Sequence, residues 1–167
     1  MATAYLIHGY LGAGKTTFAR RLEREVGAVR FTPDEWMSRL FGEDPPAAIF
    51  QDKAAAILEV MEPLWLRCLA LGVDVVLDFG FWTRSERDRA RRLAGEAAAN
   101  TVIYSMECED QEALRRVCAR NAENAHGLYI APETFALLKA RFEALAPDEP
   151  AIFAPDPIGL ASERLRQ

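Results

Sequence analysis

Gly9-Tyr10-Leu11-Gly12-Ala13-Gly14-Lys15-Thr16 satisfies every fixed position of the pattern G-x-x-x-x-G-K-[ST]. The chemistry of that spacing is the grip on a polyphosphate. Glycines let the chain wrap so that several backbone N–H groups point inward as an anion nest. A helix beginning near Gly14 brings its positive end to the same spot. Lys15 is spaced to reach the β- and γ-phosphates, the Thr16 hydroxyl to bind magnesium, and Thr17 to touch the α-phosphate. Gly9, Gly12, Ala13, Gly14, Lys15, Thr16 and Thr17 are therefore the candidate nucleotide-binding residues, with ATP and Mg2+ as the expected ligands. No base-reading motif separates ATP from GTP.

Two carboxylates could complete such a site. Asp78 closes the apolar run Val75-Val76-Leu77 and is a candidate to hold magnesium or orient Thr16; the alternative is a cap on the next helix. Asp34 follows the second expected strand, in Thr32-Pro33-Asp34-Glu35-Trp36. In a parallel sheet, ligands bind beyond the carboxyl ends of strands, so Asp34 should face the phosphate site and could take the proton of an acceptor hydroxyl. Asp34 could equally be a helix N-cap; or Thr32 caps, Glu35 completes a capping box, Pro33 is the first helical residue and Asp34 is free. Arg116 and Arg120, four apart on one helical face, are candidate stabilisers of phosphoryl charge. Arg84, Arg87 and Arg91 also share a face; Arg87 and Arg91 are expected at the solvated surface, Arg84 at either place. His8 is expected to be packed and His126 incidental, and the two form no metal site.

The elements that must position these groups alternate. Ala4–Ile7 reads as a buried strand, Gly14–Glu25 as a helix ended by Gly27, 28–31 as a strand and 34–41 as a short helix. Residues 47–71 read as a long helix with Ala54, Ile57, Met61, Leu64 and Cys68 as its apolar stripe and a kink or break at Pro63. Then come a strand at 73–79, a helix at 85–98, a strand at 101–106, a helix at 110–123, a polar loop, and a helix at 133–145. The proline-rich tail allows a short strand at 151–153 and a short helix after Pro157. Alternation of this kind implies a parallel sheet with right-handed crossovers. With no internal repeat or linker, residues 1–167 are expected to form one domain.

Composition sets outer limits. The chain has 167 residues, 50% hydrophobic and 27% charged, as in a globular protein. Its net charge of -5 gives no general attraction to nucleic acid. Three cysteines, Cys68, Cys108 and Cys118, make no C-x-x-C pair and are expected as packed, reduced thiols. The N-terminus has no basic leader and no stretch is long and apolar enough to span a membrane. A cytoplasmic location is the expectation.

On Gly9–Thr17, Asp34, Val75–Asp78, Arg116–Arg120 and, more weakly, Arg141-Phe142-Glu143 with Asp148-Glu149-Pro150, the chain resembles the P-loop kinases grouped with zeta toxins, chloramphenicol phosphotransferase and the polynucleotide 5′-hydroxyl kinases, an ATP-binding, AAA-type family. The resemblance covers most of the chain. It implies a three-layer sandwich with sheet order 2-3-1-4-5, ATP as donor, Asp34 as base, and Arg116 and Arg120 beside a small lid at about 121–132. It departs from many relatives in having no lysine or arginine over 121–134.

The first expectation is therefore transfer of the γ-phosphate of ATP to a hydroxyl of a small molecule, with Trp36, Met37, Leu40, Phe41 and Phe50 walling a pocket for a flat or partly apolar acceptor; packing explains Leu40 and Phe41 equally well. A 5′-hydroxyl polynucleotide kinase is the alternative, and it requires Arg84, Arg87 and Arg91 to line a groove beside Asp34. The third reading is a nucleotide-binding switch without transfer. Oligomeric state is not legible.

Overall fold

The computed structural model describes residues 1–123 and 128–154. Its elements run β1 (Thr3–Gly9), α1 (Lys15–Val26), β2 (Val29–Phe31), α2 (Pro33–Phe41), α3 (Ala47–Ala70), β3 (Val75–Gly80), α4 (Arg84–Glu96), β4 (Asn100–Met106), α5 (Asp110–Ala122), α6 (Pro132–Lys139) and β5 (Ile152–Phe153). The sheet has five strands in the order β2-β3-β1-β4-β5, and every adjacent pair is parallel. The architecture implied by the resemblance is the one observed. The short helix expected after Pro157, and His126, lie outside the described residues.

β1 is central because it is apolar on both faces. Ala4 and Leu6 join a core with Ile57, Met61, Trp65 and Leu69 of α3 and Ala90 and Ala94 of α4. Ile7 looks the other way, onto Phe18, Ala19 and Leu22 of α1. Burying side chains of this size contributes roughly 1.5–3 kcal/mol each, which fixes β1 and hence the loop that leaves it.

Several local expectations need correction. In α3 the buried stripe is Ile57, Met61, Trp65 and Leu69, while Leu64 is 43% exposed. The contact follows an i+4 ridge, which slants across the helix axis, rather than the mixed 3–4 spacing read from the sequence. Pro63 sits inside α3 without ending it. The last helix stops at Lys139 instead of continuing to 145, because residues 143–149 are pulled onto α4. Of the three cysteines, Cys118 is exposed and the other two are half-buried.

That pull comes from arginines expected at the surface. The Arg87 side chain is 1% exposed and forms a fork on Glu149, with Nε–Oε1 at 2.8 Å and Nη2–Oε2 at 2.7 Å. It also donates to the Phe81 and Glu143 carbonyls. Arg91 reaches Glu149 at 2.6 Å, and Arg84 holds Asp148 through two bonds of 2.8 and 2.7 Å. These bonds explain the segment Asp148-Glu149-Pro150: it is a strap across α4. The Arg87 and Arg91 guanidiniums hold the Glu149 carboxyl well below the usual carboxylate range.

Removing one partner of a buried fork leaves an uncompensated charge and costs about 3–5 kcal/mol. Glu149→Gln should therefore lower the urea midpoint markedly at pH 7. Because the native carboxyl titrates below its unfolded value, its stabilisation is present above the ordinary carboxylate range and fades as pH falls. The gap between wild type and variant should narrow in acid.

Candidate phosphate and acceptor site

The loop between β1 and α1 is shaped by glycines in the left-handed region, Gly12 at φ 76° and Gly14 at φ 87°. Gly14 is the N-cap of α1 and supplies no side-chain cap, so the first amides of the helix remain for a ligand. Gly12 lies directly against the backbone of Ala113 in α5, where a Cβ would overlap the carbonyl. Tyr10 anchors the outer side. Its ring packs 4.9 Å from Phe135, 5.4 Å from Trp82 and 5.5 Å from Phe142, and its hydroxyl donates to the Phe135 carbonyl. Only the fold identifies this anchor, because Tyr10 occupies a variable position of the pattern.

Lys15 donates to the Tyr10 carbonyl at 2.8 Å, so its ammonium lies inside the loop. Burial lowers its pKa, opposed by the charges of Asp78 and Asp34. Asp78 lies in the second half of β3, two residues before its end, and is 7% exposed. It accepts from the Thr32 hydroxyl at 3.4 Å, with the Thr16 hydroxyl beside it. Burial raises its carboxyl pKa, and Lys15 and the Thr16 hydroxyl work against the rise.

Asp34 is not the cap of α2. Thr32 is the N-cap residue and Pro33 opens the helix. The expected capping box is absent: Glu35 turns instead to Arg20 and Arg30, at 2.7 and 3.1 Å. Asp34 stays open to solvent inside a cleft and accepts no hydrogen bond from any described residue. The protein packed around it raises its pKa, and the charges of Lys15 and Arg120 oppose the rise.

Arg120 is drawn to the same place. Its guanidinium donates to the Leu128 carbonyl at 3.0 Å and feels the Asp34 charge. Arg116 is held instead by Glu112 at 2.8 Å on its own helix. Thr17 is exposed at the start of α1. His8 is buried between Ser105 and the Glu143 carbonyl, and burial pushes its pKa down to about 4. It is a packed, neutral histidine.

Two cavities belong to this region, one containing Asp34 and one adjoining the loop. One, of about 270 Å³, is lined by Asp34, Met37, Phe50, Trp65, Phe79 and Phe81, among others. Met37 and Phe50 are the pocket residues legible in the sequence. Trp36, Leu40 and Phe41 are 36%, 62% and 37% exposed and do not line it. Trp65, Phe79 and Phe81 take their place, from α3 and the end of β3. The second cavity, of about 570 Å³, lies on the β4 side and is lined by the loop itself with Cys108, Lys139, Phe142 and Phe153. Among the described residues no cluster of three or more His, Cys, Asp or Glu side chains could hold a metal ion, and no helix is long and apolar enough to cross a membrane.

Gly12→Ala would force a Cβ into the Ala113 carbonyl at a positive φ, at a cost of about 1–3 kcal/mol. The thermal midpoint should fall by several degrees, measured by circular dichroism.

The AAA domain family matches residues 5–145. No curated protein matches the chain by sequence. Among solved structures, a presumed kinase of Chloroflexus aurantiacus superposes with a TM-score of 0.76 at 15% identity, over 99% of this chain and 97% of that one. A gluconokinase of Sinorhizobium meliloti gives 0.63 at 15% identity, over 98% and 90%. The APS kinase of Mycobacterium tuberculosis, in complex with AMPPNP and APS, gives 0.61 at 16% identity, over 99% and 96%. At these identities the likeness is one of fold, that of the P-loop kinases.

Proposed function

The chain belongs to the AAA domain family, and on that footing we propose that it transfers the γ-phosphate of ATP to a hydroxyl group of a small molecule. The observation that carries this reading is the convergence of Lys15, Asp34, Asp78 and Arg120 at the carboxyl-terminal side of the sheet. A phosphate loop alone would serve a switch. A solvent-open carboxylate with no hydrogen-bond partner among the described residues, beside a cavity, is what a phosphotransferase needs in addition.

In this reading the inward amides of Gly12–Thr16 and the Lys15 ammonium bind the β- and γ-phosphates. Lys15 leaves the Tyr10 carbonyl to do so. Asp34 takes the proton from the acceptor hydroxyl as its oxygen bonds to the γ-phosphorus. The bond from that phosphorus to the β–γ bridging oxygen breaks, giving ADP and a phosphomonoester. Arg120 faces the charge on the transferred group, while Arg116 would take part only by leaving Glu112. The Thr16 hydroxyl and the neighbouring Asp78 carboxylate are a fitting pair for Mg2+, which commonly takes one or two protein groups with phosphates and water. When bound, the ion would neutralise charge on the β- and γ-phosphates. The 570 Å³ cavity beside Cys108 and Phe142 suits the nucleoside, since it adjoins the loop on the side away from Asp34.

We assign residues 1–167 to one domain, with a lid at about 121–132. Supporting the lid, Asn121 donates to the Ile130 carbonyl at 2.8 Å, and the Tyr129 amide bonds Glu43 at 2.8 Å. Residues 124–127 of that span lie outside the described residues. The polynucleotide kinase alternative is not favoured, because Arg84, Arg87 and Arg91, which it needs beside Asp34, are committed to Asp148 and Glu149.

Asp34→Asn should lower transfer on the order of 100-fold or more, the usual range for a lost general base. Nucleotide affinity by calorimetry should remain; equal transfer by both proteins would remove Asp34 from its role and favour a switch. Lys15→Ala should abolish most activity in a folded protein. Since the base works ionised and its pKa lies above the ordinary carboxylate value, wild-type turnover should fall on the acid side through a limb above that range, which Asp34→Asn eliminates.

A further inference from the structure

We propose that the acceptor is a neutral or cationic alcohol carried on an apolar, ring-sized body, and that polyols and anionic acceptors are excluded. The inference rests on the phosphotransferase reading and concerns the cavity that contains Asp34.

Its walls are apolar almost throughout. Trp65, Leu77 and Phe81 form the floor, 3%, 0% and 4% exposed. Phe79 stacks on Phe81, with centroids 5.6 Å apart and planes 20° apart. Only four lining residues are ionisable: Asp34, Glu62, Glu86 and Arg89. Three of these are already engaged. Arg89 holds Glu62 at 2.9 Å, and the Glu86 carboxylate accepts from the Thr83 amide at 3.0 Å in the capping box of α4.

Each feature selects. A polyol would bring several hydroxyls into walls that offer no partners, and each one left unpaired costs roughly ten-fold or more in affinity. An apolar ring would meet Phe79, Phe81 and Trp65 with nothing to desolvate. Three carboxylates against one guanidinium repel an anionic acceptor and tolerate a cation. Asp34 is then the one group aimed at the single hydroxyl that reacts. An apolar cavity of about 150 Å³ holds one benzene; a cavity of about 270 Å³ therefore fits a substituted ring or a compact bicycle.

The test is binding and transfer measured separately on the full chain. Calorimetry with saturating AMPPNP and Mg2+ would use 1-naphthalenemethanol, glucose, gluconate and a 5′-hydroxyl oligonucleotide. Transfer from labelled ATP would be followed with the same four. We expect 1-naphthalenemethanol to bind at least ten-fold more tightly than the others and to be the best phosphate acceptor. Ala54→Phe, which fills the cavity from α3, should weaken that binding at least ten-fold while AMPPNP still binds. Should that variant not fold, Leu58→Asp at the mouth serves the same comparison. Tight binding of the aromatic alcohol without transfer would uphold the pocket's preference and overturn the phosphotransferase reading. Glucose, gluconate or the oligonucleotide binding as well or better would overturn the preference, as would no binding of the aromatic alcohol; transfer to one of those three would leave the kinase assignment standing.

Discussion

The structure depends on a backbone loop that must hold its amides inward with no side chain to do so. Gly12 and Gly14 can take the required left-handed conformations, but freedom to adopt a shape does not keep it. The fold supplies the rest. β1 is buried on both faces, α1 is packed on Ile7 through Phe18 and Leu22, and Tyr10 is wedged among Phe135, Trp82 and Phe142. Gly12 rests on the backbone of Ala113. The loop is thus fixed at both ends and at two interior points. Every other group of the site is arranged around it.

Charge is the second constraint. Lys15 is placed against Asp78 and Asp34, with Arg120 beside Asp34. Burial opposes ionisation of each buried group, and the mutual attraction opposes burial. Asp78 is buried, accepts from Thr32 and is therefore held in position. Asp34 has water but no protein donor among the described residues. The two carboxylates, though neighbours, are consequently suited to different work: one fixed, one free to accept a proton.

The third element is the strap of residues 143–149. Its anchor is the buried fork between Arg87 and Glu149, reinforced by Arg84 and Arg91. The strap carries Phe142 and Glu143 back to Tyr10, His8 and α4. Stability at the C-terminal side of the sheet is thereby linked to the shape of the phosphate loop. Of the residues that line the cavity beside Asp34, the one basic side chain, Arg89, is paired with Glu62, which bears on what can enter it.

The sequence by itself determined the loop, the alternation of strands and helices, and both carboxylates, because these are local: a fixed spacing of glycines, a run of valine and leucine with an aspartate directly after it, and an aspartate shortly after the second strand. The resemblance carried by those residues gave the strand order. The sequence left open whether Asp34 caps a helix, and it misplaced Arg87, the stripe of α3 and part of the pocket wall. Those depended on partners distant in the chain. Arg87 is buried only because Glu149 comes to it, and Trp65 lines the cavity because the buried ridge of α3 runs through Ile57, Met61, Trp65 and Leu69. Periodicity reports which face of a helix is apolar; the packing of that face against others decides what each side chain meets.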